Sequence, residues 1–268
     1  MKPIVYVLAD YGQLHDLAFA EVTQIMLAEL AGYDPVIKAY AVPAFDTVAT
    51  GFALAQTAIN SRLGARHFFY VNTAPRKDDP APRISGEGEG LVYARLRNDV
   101  QIVAVDSGHS LSFIKDAAEE IRHIHVERAG SQFRSRDVFP PALARLVAGD
   151  RSQLGDDIKA RIPDPPEKAV CYTDGYGNLK IALNANTIEP LKGQDLVLDI
   201  NGHKRIARVA DGIFAVADGQ LCLAPGSSGW TLSDGTFRRF AEIVLRGGNA
   251  SREFGQPPGG ISVDWAGA

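Results

Sequence analysis

The chain has 268 residues, enough for one large domain or two of moderate size. Hydrophobic residues make up 46% and charged residues 22%, which is the balance of a globular protein with a full core rather than of a disordered chain. The formal net charge is -4 and no run of five lysines or arginines occurs, which argues against nucleic-acid binding through phosphate neutralisation.

The cysteine count and the apolar runs bear on the cellular compartment. Cys171 and Cys222 are too few for a disulfide framework, so both are expected to be buried and reduced. The N-terminal apolar run, residues 4–9, is too short for a signal peptide. No stretch approaches the roughly 18 apolar residues of a transmembrane helix. We therefore expect a cytoplasmic protein without a membrane partner.

The first 150 residues alternate between strand-like and helix-like segments. Strands are predicted at 4–9, 35–41, 67–71, 91–95, 101–105 and 121–126, and helices at 17–31, 48–62 and 137–148. Asp46 and Thr47 are expected to cap the second helix, and the third is expected to be N-capped with prolines in its first turn. The strands at 91–95 and 101–105 form either a hairpin or two separate strands. This alternation predicts an α/β domain with a mainly parallel sheet.

The pattern changes after residue 149. Residues 149–169 are polar and end in a proline cluster, so we assign 156–167 as a linker between domains at 1–155 and 168–268. Short strand-like segments follow, separated by turn pairs that include Asn201-Gly202 and Asp211-Gly212. Such pairs favour hairpins because both residues adopt positive φ. The second half therefore predicts a small antiparallel β-barrel domain.

Three polar residues end predicted strands of the first domain: Asp10, Asn72 and Asp106. Ligands of open parallel sheets bind beyond the carboxyl ends of the strands, so these side chains predict a pocket. The alternative is that each of them caps a turn or the next helix. The stretch FFYVNTAPRKDD, 68–79, ends a core strand in polar and charged residues, and is either a surface turn or the edge of a ligand site.

Two further stretches contain unusual chemistry. Arg134 and Arg136 precede a helix, where their charge opposes the helix dipole unless an anion or Asp137 offsets it. The turn DGYGN, 174–178, contains Tyr176, an aromatic residue that could stack on a flat ring. No GxSxG, HExxH or P-loop pattern occurs, which argues against the chemistries that depend on those motifs and leaves no metal site predicted.

Six stretches in chain order form a wider pattern. They are LADYGQLHD (8–16), AVPAFDTVATGFAL (41–54), VDSGHSLSFI (105–114), FRSRDVFPPALARLVAGD (133–150), DGYGNLKIALN (174–184) and LAPGSSGWTLS (223–233). The ordered set resembles the S-adenosylmethionine (SAM) hydroxide adenosyltransferases, also called SAM hydrolases, and their fluorinase and chlorinase relatives. The resemblance spans roughly residues 3–235. It implies an α/β domain, a β-barrel domain and a homotrimer, with ligand between the first domain of one subunit and the second domain of its neighbour.

The resemblance also implies roles for individual residues. Asp10 would hold the ribose diol, because a carboxylate accepts from two vicinal hydroxyls. Asn178 would contact the adenine edge, where its amide offers a donor and an acceptor. Asp174 would face the methionine ammonium, and Tyr176 stands at an aromatic position of the same hairpin. Asp106 is assigned with them to the binding site.

The resemblance also assigns roles to the serine-rich stretch near residue 227 and to SAM itself. Ser227 and Ser228 would touch the amino-acid part of SAM, although a plain Gly-Ser turn explains them as well. SAM itself would be the substrate or ligand, and no other cofactor is implied.

The chain departs from the family at the positions assigned to catalysis. The hydrolases have Asp where this chain has Asn72 and His where it has Arg134, and Arg76 or Arg83 would have to replace the family's arginine. Neither an amide nor a guanidinium is a base near neutral pH. We therefore expect either nucleophilic substitution at C5′ of SAM, giving adenosine and methionine when water attacks, or a non-catalytic SAM- or adenosine-binding protein.

Overall fold

The structure is a computed structural model that describes residues 2–75, 81, 88–127 and 132–268. The chain divides into two compact units, the first ending at Asp164 and the second beginning at Pro165. Within the described residues, no helix is long and apolar enough to cross a membrane.

The first unit is built on one seven-stranded sheet. Its strands are β1 (Ile4–Ala9), β2 (Val36–Ala41), β3 (His67–Asn72), β4 (Leu91–Leu96), β5 (Gln101–Val105), β6 (Ala118–Ile124) and β7 (Leu154–Asp157). Its helices are α1 (Leu17–Glu29), α2 (Thr47–Ala58), α3 (Arg134–Asp137) and α4 (Phe139–Val147). The strand order is β2-β1-β3-β5-β4-β6-β7.

This sheet is mixed, so the prediction of a mainly parallel sheet is wrong. Strands β2, β1, β3 and β5 run parallel, whereas β4 is antiparallel to β5 and β6, and β6 is antiparallel to β7. The four residues 97–100 between β4 and β5 allow only an antiparallel pairing, because a parallel connection needs a dozen residues or more. Strand β7 lies within residues 149–169, the polar stretch that contains the predicted linker.

Helices cover both faces of the sheet around β3. All six residues of β3 are buried, as expected for a central strand. On one face, Phe68 and Tyr70 share a hydrophobic core with residues of α1 and α4. On the other face, α2 packs against β1 and β3, and Asp46 caps this helix by accepting a hydrogen bond from the Ala49 N–H. Helices therefore pack on both faces of the sheet beside the strands that carry the predicted site residues.

Helix α2 makes an unusually close contact at Gly51. A Cβ atom there would lie 2.3 Å from the backbone carbonyl oxygen of His109. We expect Gly51→Ala to lower the free energy of unfolding by about 1–3 kcal/mol, because the helix and the loop must move apart. Gly32→Ala is the control, since no atom lies within 4 Å of the added methyl group. Equal urea unfolding midpoints for the two variants would contradict this contact.

The second unit is a curled sheet of seven strands. They are β8 (Val170–Thr173), β9 (Leu179–Asn184), β10 (Asp195–Ile200), β11 (His203–Val209), β12 (Leu221–Thr231), β13 (Phe237–Leu245) and β14 (Val263–Gly267), with α5 at Ala250–Glu253. The order is β14-β10-β11-β12-β13-β9-β8. Ala169 precedes the edge strand β8 and Ser262 precedes the other edge strand, β14. These two residues form a β-bridge, so the sheet curls into a half-barrel.

This second sheet is also mixed, because β11 and β12 run parallel while the other neighbours are antiparallel. Asn201 and Gly202 have φ values of 53° and 80° and join β10 to β11 in the predicted hairpin. The hairpin prediction for Asp211-Gly212 is wrong, since these residues connect the parallel pair. Cys171 and Cys222 are free and buried, as predicted.

Candidate functional site

The ends of three adjacent strands bring predicted site residues to one edge of the first sheet. Asp10 follows β1, Asn72 ends β3 and Asp106 follows β5. The Asp10 N–H donates to the Asn72 carbonyl at 3.1 Å. Neighbouring strands lie about 4.8 Å apart, so the three residues reach the same edge, although the register pairs Asn72 with Ala9, one position before Asp10. Asn72 is buried, Asp10 is half-buried and Asp106 is exposed.

Asp10 binds the backbone of an exposed aromatic residue, Phe45. Its Oδ2 accepts a hydrogen bond of 2.9 Å from the Phe45 N–H. Phe45 has a φ of 62°, a strained value for a bulky side chain, and its side chain is 58% exposed. A strained and exposed phenylalanine at the edge of a sheet is a candidate ligand contact. Sequence reasoning missed it, although an aromatic residue next to the capping Asp46 at a strand end was a usable signal.

Asn72 belongs to a buried polar cluster with Tyr11, Tyr70 and Ser135. The Tyr70 hydroxyl donates to the Ser135 carbonyl at 2.5 Å. The buried Tyr11 hydroxyl makes no hydrogen bond of ordinary geometry in the described residues. Burial raises the pKa of Tyr11 to about 12, and the neighbouring side chains of Ser135, Asn72 and Tyr70 offset only part of this shift. Asn72 therefore lies beside a hydroxyl whose proton has no good acceptor.

The two tyrosines of this cluster should respond differently to removal of the hydroxyl. Tyr11→Phe is expected to leave the free energy of unfolding within about 0.5 kcal/mol of wild type, because no good hydrogen bond is lost. Tyr70→Phe is expected to lower it by about 1–2 kcal/mol, because the Ser135 carbonyl loses its donor. Urea unfolding of the two variants side by side measures the contrast. A larger loss for Tyr11→Phe would show that its hydroxyl has a partner, such as a buried water.

Asp106 is presented by a loop that hydroxyl groups fasten to the rest of the unit. Its own N–H donates to the Gly90 carbonyl at 2.8 Å. The next residue, Ser107, donates its hydroxyl to the Thr73 carbonyl. The Thr73 hydroxyl lies 2.8 Å from the hydroxyl of Thr50 on α2. The exposed Asp106 carboxylate therefore follows a strand end whose loop is held by these hydrogen bonds.

The Arg134 side chain is buried and binds backbone carbonyl groups. It is 9% exposed, and its guanidinium donates to the carbonyls of Glu89 at 3.2 Å and Glu127 at 3.4 Å. The guanidinium also lies over the Phe139 ring, 5.1 Å from its centre. These contacts hold the Arg134 guanidinium in place, and its catalytic role stays a prediction. The other predicted catalytic arginine, Arg76, lies outside the described residues, as does Arg83.

The positive charge of Arg136 is offset by the Asp137 carboxylate, which was one of the two explanations that the sequence allowed. Its Nε lies 2.6 Å from Asp137 Oδ1, and its Nη1 lies 3.1 Å from Glu21 Oε1. The expected N-cap of the third predicted helix is wrong, because α4 begins after Val138 without a side-chain cap. The Asp137 carboxylate binds Arg136 instead.

Comparisons with known proteins show the fold. No family model and no curated protein matches the chain. Among solved structures, it is similar to an uncharacterized conserved protein from Thermotoga maritima, with a TM-score of 0.71 and 19% identity over 98% of this chain and 99% of that chain. It is also similar to a conserved hypothetical protein from Thermus thermophilus, with a TM-score of 0.66 and 23% identity over 99% of this chain and 100% of that chain. The likeness covers both units and is compatible with a SAM hydrolase-like fold.

In the second unit, the turn between β8 and β9 is organised by Asp174. Its Oδ1 accepts hydrogen bonds from the backbone N–H groups of Tyr176 at 2.9 Å and Asn178 at 3.0 Å. The Asn178 side-chain amide donates to Asp174 Oδ2 at 3.1 Å. Tyr176 is 82% exposed at the tip. The structure thus brings these three predicted residues together in one turn.

A buried lysine that sequence reasoning missed supports this turn. Lys180 Nζ lies 3.2 Å from Asp174 Oδ2 and 2.5 Å from Glu242 Oε1. The side chains of Lys180 and Glu242 are 8% and 10% exposed. Burial raises the pKa of Asp174, but the Asn178 N–H and the Lys180 ammonium lower it more, so its pKa lies below the ordinary value of 3.8. The available signal was a charged residue inside the apolar run LKIAL.

Ser227 and Ser228 lie within β12, where its pairing with β13 shifts between Pro225 and Gly229. The neighbouring Gly226 approaches Glu242 closely, since a Cβ atom on this glycine would lie 2.8 Å from Glu242 Oε2. The two serines therefore lie in an irregular strand segment rather than in a simple turn.

Proposed function

We propose that this protein binds SAM, or the adenosine part of SAM, at the strand-end edge of its first unit. The observation that carries the proposal is the pair formed by Asp10 and Phe45. The Asp10 carboxylate accepts a hydrogen bond of 2.9 Å from the backbone N–H of Phe45, and the side chain of Phe45 is exposed. The carboxylate can accept from both ribose hydroxyls, and the ring offers a face on which a purine can stack.

Two further points support a nucleoside ligand. The edge lies at the carboxyl ends of parallel strands, where ligands of α/β sheets bind. The sequence elements that resemble the SAM hydrolases include both Asp10 and Phe45. The homotrimer implied by that resemblance stays a prediction, which light scattering of the purified protein would check.

Hydrolysis by this protein is expected to be slow. Water attacking C5′ needs a group that accepts its proton, and loss of such a group costs about 10²–10⁴ in rate. Asn72 cannot accept a proton near neutral pH, and the Arg134 guanidinium is engaged with two backbone carbonyls. A binding protein with little turnover is therefore the function that the geometry supports best.

A second candidate function is hydrolysis assisted by Asp106, because its carboxylate is exposed at the same edge. In this reaction, water oxygen bonds to C5′ while the C5′–S bond breaks. The electron pair of that bond stays on sulfur, so methionine leaves as a neutral thioether. The water proton passes to the Asp106 carboxylate, and adenosine is the second product.

Thermal unfolding with SAM, adenosine and AMP tests binding, because a ligand of the folded state raises the melting temperature. We expect SAM and adenosine to raise it for wild type and to have little effect on Asp10→Asn. Asp34→Asn is the matched control, since this exposed carboxylate of the same unit pairs only with Lys2 in the described residues. Chromatography for adenosine and methionine separates the two candidates. No shift with any of the three ligands would refute both.

A further inference from the structure

Two histidines lie at the carboxyl end of β6. His123 belongs to the strand and His125 follows it directly, with its N–H donating to the Gln153 carbonyl at 2.8 Å. Side chains two positions apart in an extended chain point to the same face. Strand β4 runs antiparallel to both β5 and β6, so β6 ends at the same edge of the sheet as β5. The two imidazoles therefore reach the edge at which Asp106 follows β5.

The two rings have the separation of imidazoles that share one metal ion. Their centres lie 5.6 Å apart and their planes are inclined by 36°. An imidazole nitrogen bonds Zn²⁺ at about 2.0–2.1 Å, which places the ring centres of two ligands of one ion roughly 5–6 Å apart. His125 Nε2 lies over Gly155, where a Cβ atom would be 2.6 Å from it. The missing side chain leaves room beside this nitrogen.

The tautomer of His123 is that of a metal ligand. Its Nδ1 lies 3.1 Å from the Leu91 carbonyl oxygen, which can only accept a hydrogen bond. Nδ1 therefore carries the proton, and the lone pair of the neutral ring is on Nε2. Metal-binding histidines usually donate their other N–H group to a carbonyl or carboxylate in this way, which fixes the orientation of the ring.

The surroundings of the two rings determine the kind of ion. A Cβ atom on Gly90 would lie 3.6 Å from His123 Cε1 and 3.8 Å from Asp106 Cβ, so a carboxylate side chain stands near the imidazole and favours a cation. In the part of the chain that the structure describes, no three histidine, cysteine or acidic side chains are grouped closely enough to hold an ion together. Water would therefore complete the coordination. Imidazole suits zinc, copper and nickel, whereas magnesium and calcium prefer oxygen ligands.

We propose that His123 and His125 bind a divalent transition-metal ion at the carboxyl end of β6, with Nε2 of His123 as one ligand. Both histidines belong to the first unit, so the site does not require the second unit. It does not depend on nucleoside binding either, and the two proposals can be tested separately.

The first experiment is a calorimetric titration of the full chain, without an affinity tag, with Zn²⁺. We expect wild type to bind one ion at this site, and both His123→Gln and His125→Gln to bind it about tenfold or more weakly, because a single imidazole remains. His15→Gln is the matched control, since it removes an exposed imidazole of the same unit and should keep the wild-type affinity. Wild-type affinity in either folded variant of the pair, or no binding by wild type, would overturn the proposal.

The second experiment needs no variant. When Zn²⁺ is added to wild type, we expect the imidazole nitrogen signals of His123 and His125 in NMR spectra to shift together and to stop shifting at one equivalent. The proton on His123 Nδ1 should stay in place, because the Leu91 carbonyl accepts it. A shift of one ring without the other, or loss of that proton, would overturn the shared site. Equal shifts of His15 over the same range would show adventitious binding only and would overturn it as well.

Discussion

Lys180→Met is expected to lower the free energy of unfolding by about 3–5 kcal/mol, the cost of removing one partner from a buried ion pair. In the variant, Asp174 and Glu242 would face each other without the ammonium that lies 3.2 and 2.5 Å from them. The methyl group of methionine cannot replace the lost hydrogen bonds. Urea unfolding at neutral pH measures the change.

The control for this variant is Lys192→Met, which removes an exposed ammonium of the same unit. It should leave the unfolding midpoint unchanged. A loss below about 1 kcal/mol for Lys180→Met would contradict the account, because that is the range of a surface ion pair.

The effect should also depend on pH. The folded-state pKa of Asp174 lies below its ordinary value of 3.8, so its ionised form stabilises the fold above that pH. This contribution is lost as the pH falls through the lowered value. The difference between wild type and Lys180→Met is therefore expected to shrink below about pH 4, because protonation of Asp174 removes part of the repulsion.

The strands with continuous apolar runs were predictable from the sequence. Strand β1 spans Ile4–Ala9 as predicted, and β3 extends the predicted 67–71 by one residue, Asn72. Strand direction was harder to predict. An apolar run looks the same in parallel and antiparallel neighbours, so only the short connection at 97–100 indicated that β4 reverses.

The site was predictable where chemistry follows strand ends, and not where it depends on distant contacts. Asp10, Asn72 and Asp106 follow from the pattern of strands and polar residues. The strained backbone of Phe45 depends on a hydrogen bond to Asp10, 35 residues away. The burial of Lys180 depends on Glu242, 62 residues away on β13. No local pattern contains either partner.

Asn72→Asp is expected to raise SAM hydrolysis by about 10²–10⁴-fold, the usual gain from a general base. The new carboxyl would be buried at the end of β3, and burial raises its pKa toward the range of an effective base. The Tyr11 hydroxyl, which lacks a good acceptor in wild type, would donate to it. The site thus already contains a donor suited to the carboxylate.

Adding Arg134→His, which would introduce the histidine of the SAM hydrolases that the sequence resembles, would obscure this result, because it removes the donors to the Glu89 and Glu127 carbonyls. Asn201→Asp, in an exposed turn, is the control for the added charge. Adenosine release from SAM should rise only in Asn72→Asp and should fall again when Tyr11→Phe is added, because the carboxylate then loses its donor. A folded Asn72→Asp protein that binds SAM with wild-type turnover would mean that the end of β3 does not face C5′.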